Sequence, residues 1–182
     1  MWIKDTRVIV LILPALMKRT LFLTYLCTGA SLFLPACDKS AKSGGASADS
    51  VGADGVRIVK LTGNDTLQYN LKEITAAPGE KLNIELTNIG TMPKQAMAHN
   101  WVLLKPMSDA DLSAICMAAS TKPPEYLPDD VSKIVAHTKM VGSKETDTIQ
   151  ITVPAEPGSY PYVCTFPGHF TLMRGNLVVK AK

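Results

Sequence analysis

The chain has 182 residues, 46% of them hydrophobic, with 19 Lys and Arg against 16 Asp and Glu. This length allows one domain plus attachments, and a formal charge of +3 lacks the clustered basic excess of nucleic-acid binders, so no nucleic-acid partner is expected. Four cysteines are too few for a disulfide-built scaffold.

The charge is placed unevenly. Residues 1–36 carry Lys4, Arg7, Lys18 and Arg19 against the single acid Asp5, so the remainder holds 15 bases and 15 acids. Met17-Lys18-Arg19 reads as a positive start, Thr20–Leu34 as an uncharged apolar run, and Leu34-Pro35-Ala36-Cys37 as a small-residue cleavage site. The ending resembles the bacterial lipobox, which implies lipidation of Cys37 after removal of residues 1–36. Lys18 and Arg19 split the apolar residues into pieces of nine and 15, both short of the ~20 that a membrane span needs. Translation from Met17 gives the cleaner signal. Residues 38–55 hold one large apolar residue, Val51, and cannot bury enough surface to offset ordering. Residues 37–55 are therefore expected to be a lipidated cysteine and flexible linker, with an r.m.s. reach of about 20–25 Å.

Residues 56–182 read as an all-β domain. Period-two alternation marks Leu82–Thr87 and Ile149–Val153, and shorter runs at Arg57–Leu61, Trp101–Leu104, Tyr160–Cys164 and Arg174–Lys180 fit further strands. Gly63-Asn64-Asp65, Pro78-Gly79, Pro123-Pro124 and Pro157-Gly158 punctuate them. Many short strands with Gly/Pro turns predict a β-sandwich or barrel. Ser108 is positioned to cap one short helix running to about Ala119.

The chemistry concentrates at the C-terminal end. Cys164, His169 and Met173 fall at C-x4-H-x3-M spacing, between two predicted strands, with Pro167-Gly168 to fold the loop back. His99, ahead of an apolar strand, supplies a distant fourth group. Taken singly, Met173 reads as core, His99 as structural and Cys164 as a buried thiol. Together, thiolate, thioether and two imidazoles select copper in its blue, type 1, electron-transfer form. Zinc sites rarely take methionine, and an iron–sulfur cluster needs more cysteines.

From about Val56 to Lys180 the sequence resembles the azurins, small cupredoxins. The resemblance is carried by Thr62-Gly63-Asn64-Asp65, Met92-Pro93-Lys94, Met97 through Leu103, Tyr126-Leu127, Asp129-Asp130, Ala136-His137-Thr138-Lys139 and Cys164 through Met173. It implies an eight-stranded Greek-key β-sandwich with a short flap helix and one type 1 Cu(I)/Cu(II) ion. By that match His99, Cys164 and His169 are equatorial ligands, Met173 is axial, and the Ala98 carbonyl is a weak opposite axial contact. Asn100 and Phe166 surround the thiolate, their amides directed at it. Met92, Met97, Pro167, Phe170 and Leu172, with Leu67 and Met117, form the docking face around His169. His137 matches a surface histidine, and Cys116 is assigned no role beyond a small buried residue.

Four departures from the family pattern stand out. Ala98 replaces a glycine, and its Cβ is expected to restrict the backbone. Arg57 and Gly79 stand where azurins have a disulfide. Asn88 stands at the place of a buried, titrating histidine, so little pH dependence of the potential is expected from that source. Phe170 replaces a small residue and is expected to thicken the site's rim.

The azurin resemblance implies a monomeric electron carrier, and the lipobox implies that it is lipid-tethered to the inner or outer membrane of a Gram-negative periplasm. Its expected partners are periplasmic c-type cytochromes or copper reductases and peroxidases. The alternative is a copper-buffering lipoprotein with no dedicated redox partner. An enzyme would need a further metal site, for which only His137 is left over.

Overall fold

The computed structural model describes residues 49–181. The signal at 1–36, Cys37 and the linker as far as residue 48 lie outside the described residues. Two β-sheets pack face to face. The first has the order β1 (Asp49–Val51), β2 (Arg57–Gly63), β4 (Lys81–Asn88), β7 (Thr146–Thr152). The second has the order β3 (Glu73–Ala76), β9 (Arg174–Val179), β8 (Gly158–Val163), β5 (Val102–Leu104), β6 (Ile134–His137). Neighbours are antiparallel except β2 with β4 and β3 with β9.

Alternation explains which faces meet. In β4, Leu82, Ile84, Leu86 and Asn88 are buried while the residues between them are not. With Val59 and Leu61 of β2, the three leucine and isoleucine side chains meet Leu103, Tyr162, Leu177 and Trp101 from the other sheet. β5 breaks the alternation, because all three of its residues are buried. Leu103 enters the core, whereas Val102 and Leu104 pack with Val163 against Leu112 and Cys116 of helix α2 (Asp109–Ala119). A single helical turn, α1 (Lys94–Met97), precedes β5.

The predicted flap helix is present with its predicted cap. The Asp111 amide donates to Ser108 Oγ over 3.1 Å, and that hydroxyl donates back to the Asp111 carboxylate over 2.6 Å. This satisfies one of the amides that a helix start leaves without a partner.

Two expectations change. Among the described residues a short ninth strand joins the eight of the expected sandwich, and it lies inside the segment read as linker. β1 pairs antiparallel with β2, with Asp49 opposite Val59 and Val51 opposite Arg57. Composition missed it because the strand buries little apolar surface. Its hold is polar: Arg57 Nη1 meets the Asp49 carboxylate at 2.7 Å. The hairpin turn closes through Gly52 N to Val56 O at 2.8 Å, with Gly55 at φ +76°.

The second change concerns the absent disulfide. Arg57 Nε donates to Glu80 at 2.8 Å, beside Gly79, and Nη2 donates to the Thr75 carbonyl at 2.8 Å. Glu80 also accepts from the Ala77 amide at 2.8 Å. An ionic hub therefore joins the two places that a covalent bridge joins in the family pattern. It acts on the folded state, where a disulfide acts mainly on the unfolded chain. Arg57→Met is expected to lower the unfolding free energy by about 2 kcal/mol, a value reduced for the hub's partial exposure. Urea denaturation with and without 1 M salt checks this, since only the wild-type difference should shrink with salt.

Candidate metal centre

The ladder of the second sheet assembles the site. Val102 of β5 pairs with Val163 of β8, and Val163 pairs with Arg174 of β9. Cys164 follows Val163, Met173 precedes Arg174, and His99 lies three residues before Val102. Register alone thus brings all three segments to one end of the sandwich. The 164–173 loop is closed by Cys164 N to Met173 O at 2.9 Å and Met173 N to His169 O at 2.8 Å. Gly168, at φ +79°, makes the turn that brings His169 back over the thiol.

The donor atoms converge. His99, Cys164 and His169 place one ligand atom each within 4.8 Å of one another. Cys164 Sγ lies 3.5 Å from His169 Nδ1 and 3.9 Å from His99 Nδ1. Met173 is fully buried, and a Cβ built on Gly63 would touch both its Cε, at 2.6 Å, and His99 Cδ2, at 2.7 Å. The thioether and that imidazole therefore press on the same glycine. Among the described residues this is the only His/Cys/Asp/Glu group of three able to hold a metal ion. His137, exposed at the end of β6, is not part of it.

The surroundings hold the ligands rigidly. His99 exchanges both backbone hydrogen bonds with Val141, at 3.0 and 2.8 Å. Asn100 ties the two ligand segments together: its Oδ1 accepts from the Thr165 amide at 2.9 Å and its Nδ2 donates to Thr165 Oγ1 at 2.8 Å. The Tyr69 hydroxyl donates to the Asn100 carbonyl. The Phe166 ring packs against the His169 ring at a tilt of 44°, with centroids 4.7 Å apart.

Burial controls the protons. It pushes the Cys164 thiol up to about 12, opposed by the amides of Asn100 and Phe166, which favour the thiolate. It pushes His169 down to about 4, with His99 contributing in the same direction. Both histidines are thus neutral and able to ligate at neutral pH, and a metal ion would supply the charge that draws the proton off sulfur. Soft sulfur donors with two imidazoles in a closed, buried pocket fit copper.

The depressed His169 pKa also sets an acid limit. The unfolded chain binds a proton near pH 6.5 that the folded apo-protein refuses until about 4. Stability is then full above pH 6.5 and falls as the pH drops towards 4. A loss on the order of 2 kcal/mol is expected for the apo-protein, read from denaturation midpoints across that window.

The departures resolve as follows. Ala98 sits at φ −79°, ψ 156°, an extended conformation open to any residue, so its methyl does not restrict the backbone as expected. Asn88 is fully buried, and its amide donates to Met97 O at 3.0 Å and Val141 O at 3.3 Å while its Oδ1 accepts from Gly90 N. A non-titrating clamp thus braces the backbone on both sides of His99. Phe170 does not simply thicken the rim: it is half-buried and leans onto the α2 cluster of Val102, Cys116 and Val163. Burial raises the Cys116 thiol to about 12, consistent with an inert packing residue.

Residues given a docking role lie at mixed depth. Met92, Pro167 and Leu172 are exposed, Met97 and Phe170 half-buried, and His169 only 4% exposed among them. Gly63 belongs to the site's wall, against Met173 and His99. The sequence presented it only as turn punctuation and as part of the azurin resemblance, and no spacing rule points to it.

Known proteins give the same picture. The profile of copper binding proteins, plastocyanin/azurin family, matches residues 57–180. Azurin of Pseudomonas aeruginosa is 38% identical over 127 residues, covering 67% of this chain and 84% of the relative. Azurin-1 of Alcaligenes xylosoxydans xylosoxydans is 38% identical over 125 residues, covering 65% of this chain and 94% of the relative. Among solved structures, auracyanin A, a "blue" copper protein of Chloroflexus aurantiacus, superposes with TM-score 0.61 at 33% identity, covering 68% of this chain and 98% of its own. With His99, Cys164, His169 and Met173 gathered as a type 1 copper site would hold them, the chain belongs to the plastocyanin/azurin family of copper-binding, electron-transferring cupredoxins.

Proposed function

We propose that this protein carries single electrons between periplasmic partners while tethered to a membrane by a lipid on Cys37, without enzymatic turnover of its own. The observation that carries the reading is the meeting of a closed Cys164–His99–His169–Met173 pocket with exposed Pro167 and Leu172 in the loop that carries His169. All four side chains at the pocket are 4% exposed or less, so no substrate reaches an open metal position. The Ala98 carbonyl, next to His99, would offer bound copper a further weak oxygen donor. Met92, Met97, Pro167, Phe170 and Leu172 form the docking face. A small apolar face suits brief redox encounters, and equal numbers of acids and bases after residue 36 leave little long-range steering. The partners are c-type cytochromes or copper reductases and peroxidases.

The test combines spectroscopy with location. The copper-loaded protein should show an intense blue band that bleaches on reduction and returns on oxidation. It should also exchange electrons with a soluble c-type cytochrome at a rate that Leu172→Asp lowers. A copper-bound protein that does not cycle would favour copper buffering, and turnover of oxygen or nitrite would favour an enzyme. Fractionation should find the protein in membranes and Cys37→Ala in the soluble fraction. Soluble wild-type protein would refute the tether.

A further inference from the structure

The backbone carbonyl of Asn100 takes its hydrogen bond from a side chain 31 positions earlier. The donor is the Tyr69 hydroxyl, in the segment that follows β2 of the first sheet. A carbonyl only accepts, so the direction of the bond is fixed. Among the described residues no other donor reaches this carbonyl. Burial pushes the Tyr69 pKa well above that of a free phenol, so the hydroxyl keeps its proton and stays a donor.

The hydroxyl stands on a rigid arm. Tyr69 is buried and its backbone bridges to Gly63. The next residue, Asn70, holds Thr62 twice: its amide donates to the Thr62 carbonyl at 3.2 Å, and its Oδ1 accepts from the Thr62 amide at 2.8 Å. Within the turn, Asn64 Oδ1 accepts from the Thr66 amide at 3.0 Å and its hydroxyl at 2.7 Å. The Tyr69 ring meets the Tyr162 ring edge-on at 5.7 Å. The carbonyl is therefore referenced to a part of the first sheet that does not yield with it.

The other end of this connection reaches two copper ligands. Asn100 follows His99, and its side chain grips Thr165, which follows Cys164. A rotation of the Asn100 backbone would carry that side chain with it and loosen the grip. We propose that the Tyr69 hydroxyl is a positioning group for the copper site: by pinning the Asn100 carbonyl it sets how the His99 and Cys164 segments face each other. This rests on copper binding at His99, Cys164, His169 and Met173, and on neither the tether nor the partners.

Tyr69→Phe in the copper-loaded full chain removes one oxygen and keeps the ring. It should shift the blue band and raise the rate of Cu(II) loss to excess EDTA roughly tenfold. Tyr162→Phe supplies the contrast, since that fully buried residue also donates to a backbone carbonyl, of Leu71 at 2.9 Å, but to neither ligand segment. It should lower the denaturation midpoint comparably and leave band and rate as in the wild type. An unchanged band and rate in Tyr69→Phe, or equal changes in both variants, overturns the proposal. Asn100→Ala keeps the carbonyl and removes the grip, so adding Tyr69→Phe to it should change the rate by less than about twofold. A full effect in that background overturns the proposal. One measurement needs no variant: proton NMR of the reduced wild-type protein should find the Tyr69 hydroxyl proton slow to exchange. A freely exchanging hydroxyl overturns the proposal. A wild-type chain with no blue band would strike the copper reading itself, a result distinct from any of these.

Discussion

Replacing Cys164 with serine should remove the blue band, lowering the visible absorbance roughly tenfold or more, and stop redox cycling while leaving the fold in place. The band arises from thiolate-to-copper charge transfer, and Cys164 is the single thiol in the cluster. A serine hydroxyl is a hard donor of far higher pKa and does not replace it. The fold should survive because the loop is closed by backbone bonds, Cys164 N to Met173 O at 2.9 Å and His169 N to Phe166 O at 3.0 Å, that do not involve sulfur. The buried oxygen has His99 and His169 within reach as partners, since Sγ lies 3.9 and 3.5 Å from their Nδ1 atoms. A change within about 1 kcal/mol is expected for the apo-protein. Visible spectra of the copper-loaded variant and a denaturant curve of its apo form separate the two effects. A surviving band would mean that another group supplies the thiolate, and Cys116, buried against Leu112 and Val163, is poorly placed for that.

The ligand set was legible because its chemistry is local and unusual. C-x4-H-x3-M is a short pattern, and soft donors near histidine have few uses besides copper. Strands with clean alternation were legible for the same reason: β4 shows period two in both sequence and burial. Short or polar elements were not. Glu73–Ala76 in β3 and Ile134–His137 in β6 are four residues each and gain their order from neighbours, β9 and β5. β1 hid in a stretch of Ser, Gly and Asp because a salt bridge to Arg57, eight residues away, holds it rather than apolar burial. Phe170 shows another limit. Its identity suggested a bulkier rim, but only three-dimensional packing shows the ring turning towards α2. Gly63 was invisible as a site residue since its contacts with His99 and Met173 cross 36 and 110 positions.

Gly63→Ala should damage the site more than any single change at a non-ligand position. The added Cβ would lie 2.6 Å from Met173 Cε and 2.7 and 3.1 Å from His99 Cδ2 and Cγ. Relief must come from one of three parts. The backbone of Gly63 is held by pairing with Asn88 and Tyr69 and by the Ile89 amide, so it cannot retreat cheaply. His99 is held by both backbone bonds to Val141. The unbranched Met173 side chain is the part that yields, since its terminal methyl can swing. The loss of packing should cost about 2 kcal/mol. The thioether should move with it, and in the copper-loaded protein this would shift the visible spectrum and the reduction potential, which a weak methionine donor tunes. Gly158→Ala supplies the contrast. Its Cβ would meet only Tyr160 Cε2, at 3.7 Å, an ordinary van der Waals contact. That variant should lie within about 0.5 kcal/mol of wild type with an unchanged spectrum. Equal spectra from both variants would mean that Met173 has room to spare. A change in Gly63→Ala alone would show that the absence of one side chain on the first sheet lets ligands on the second sheet close around copper.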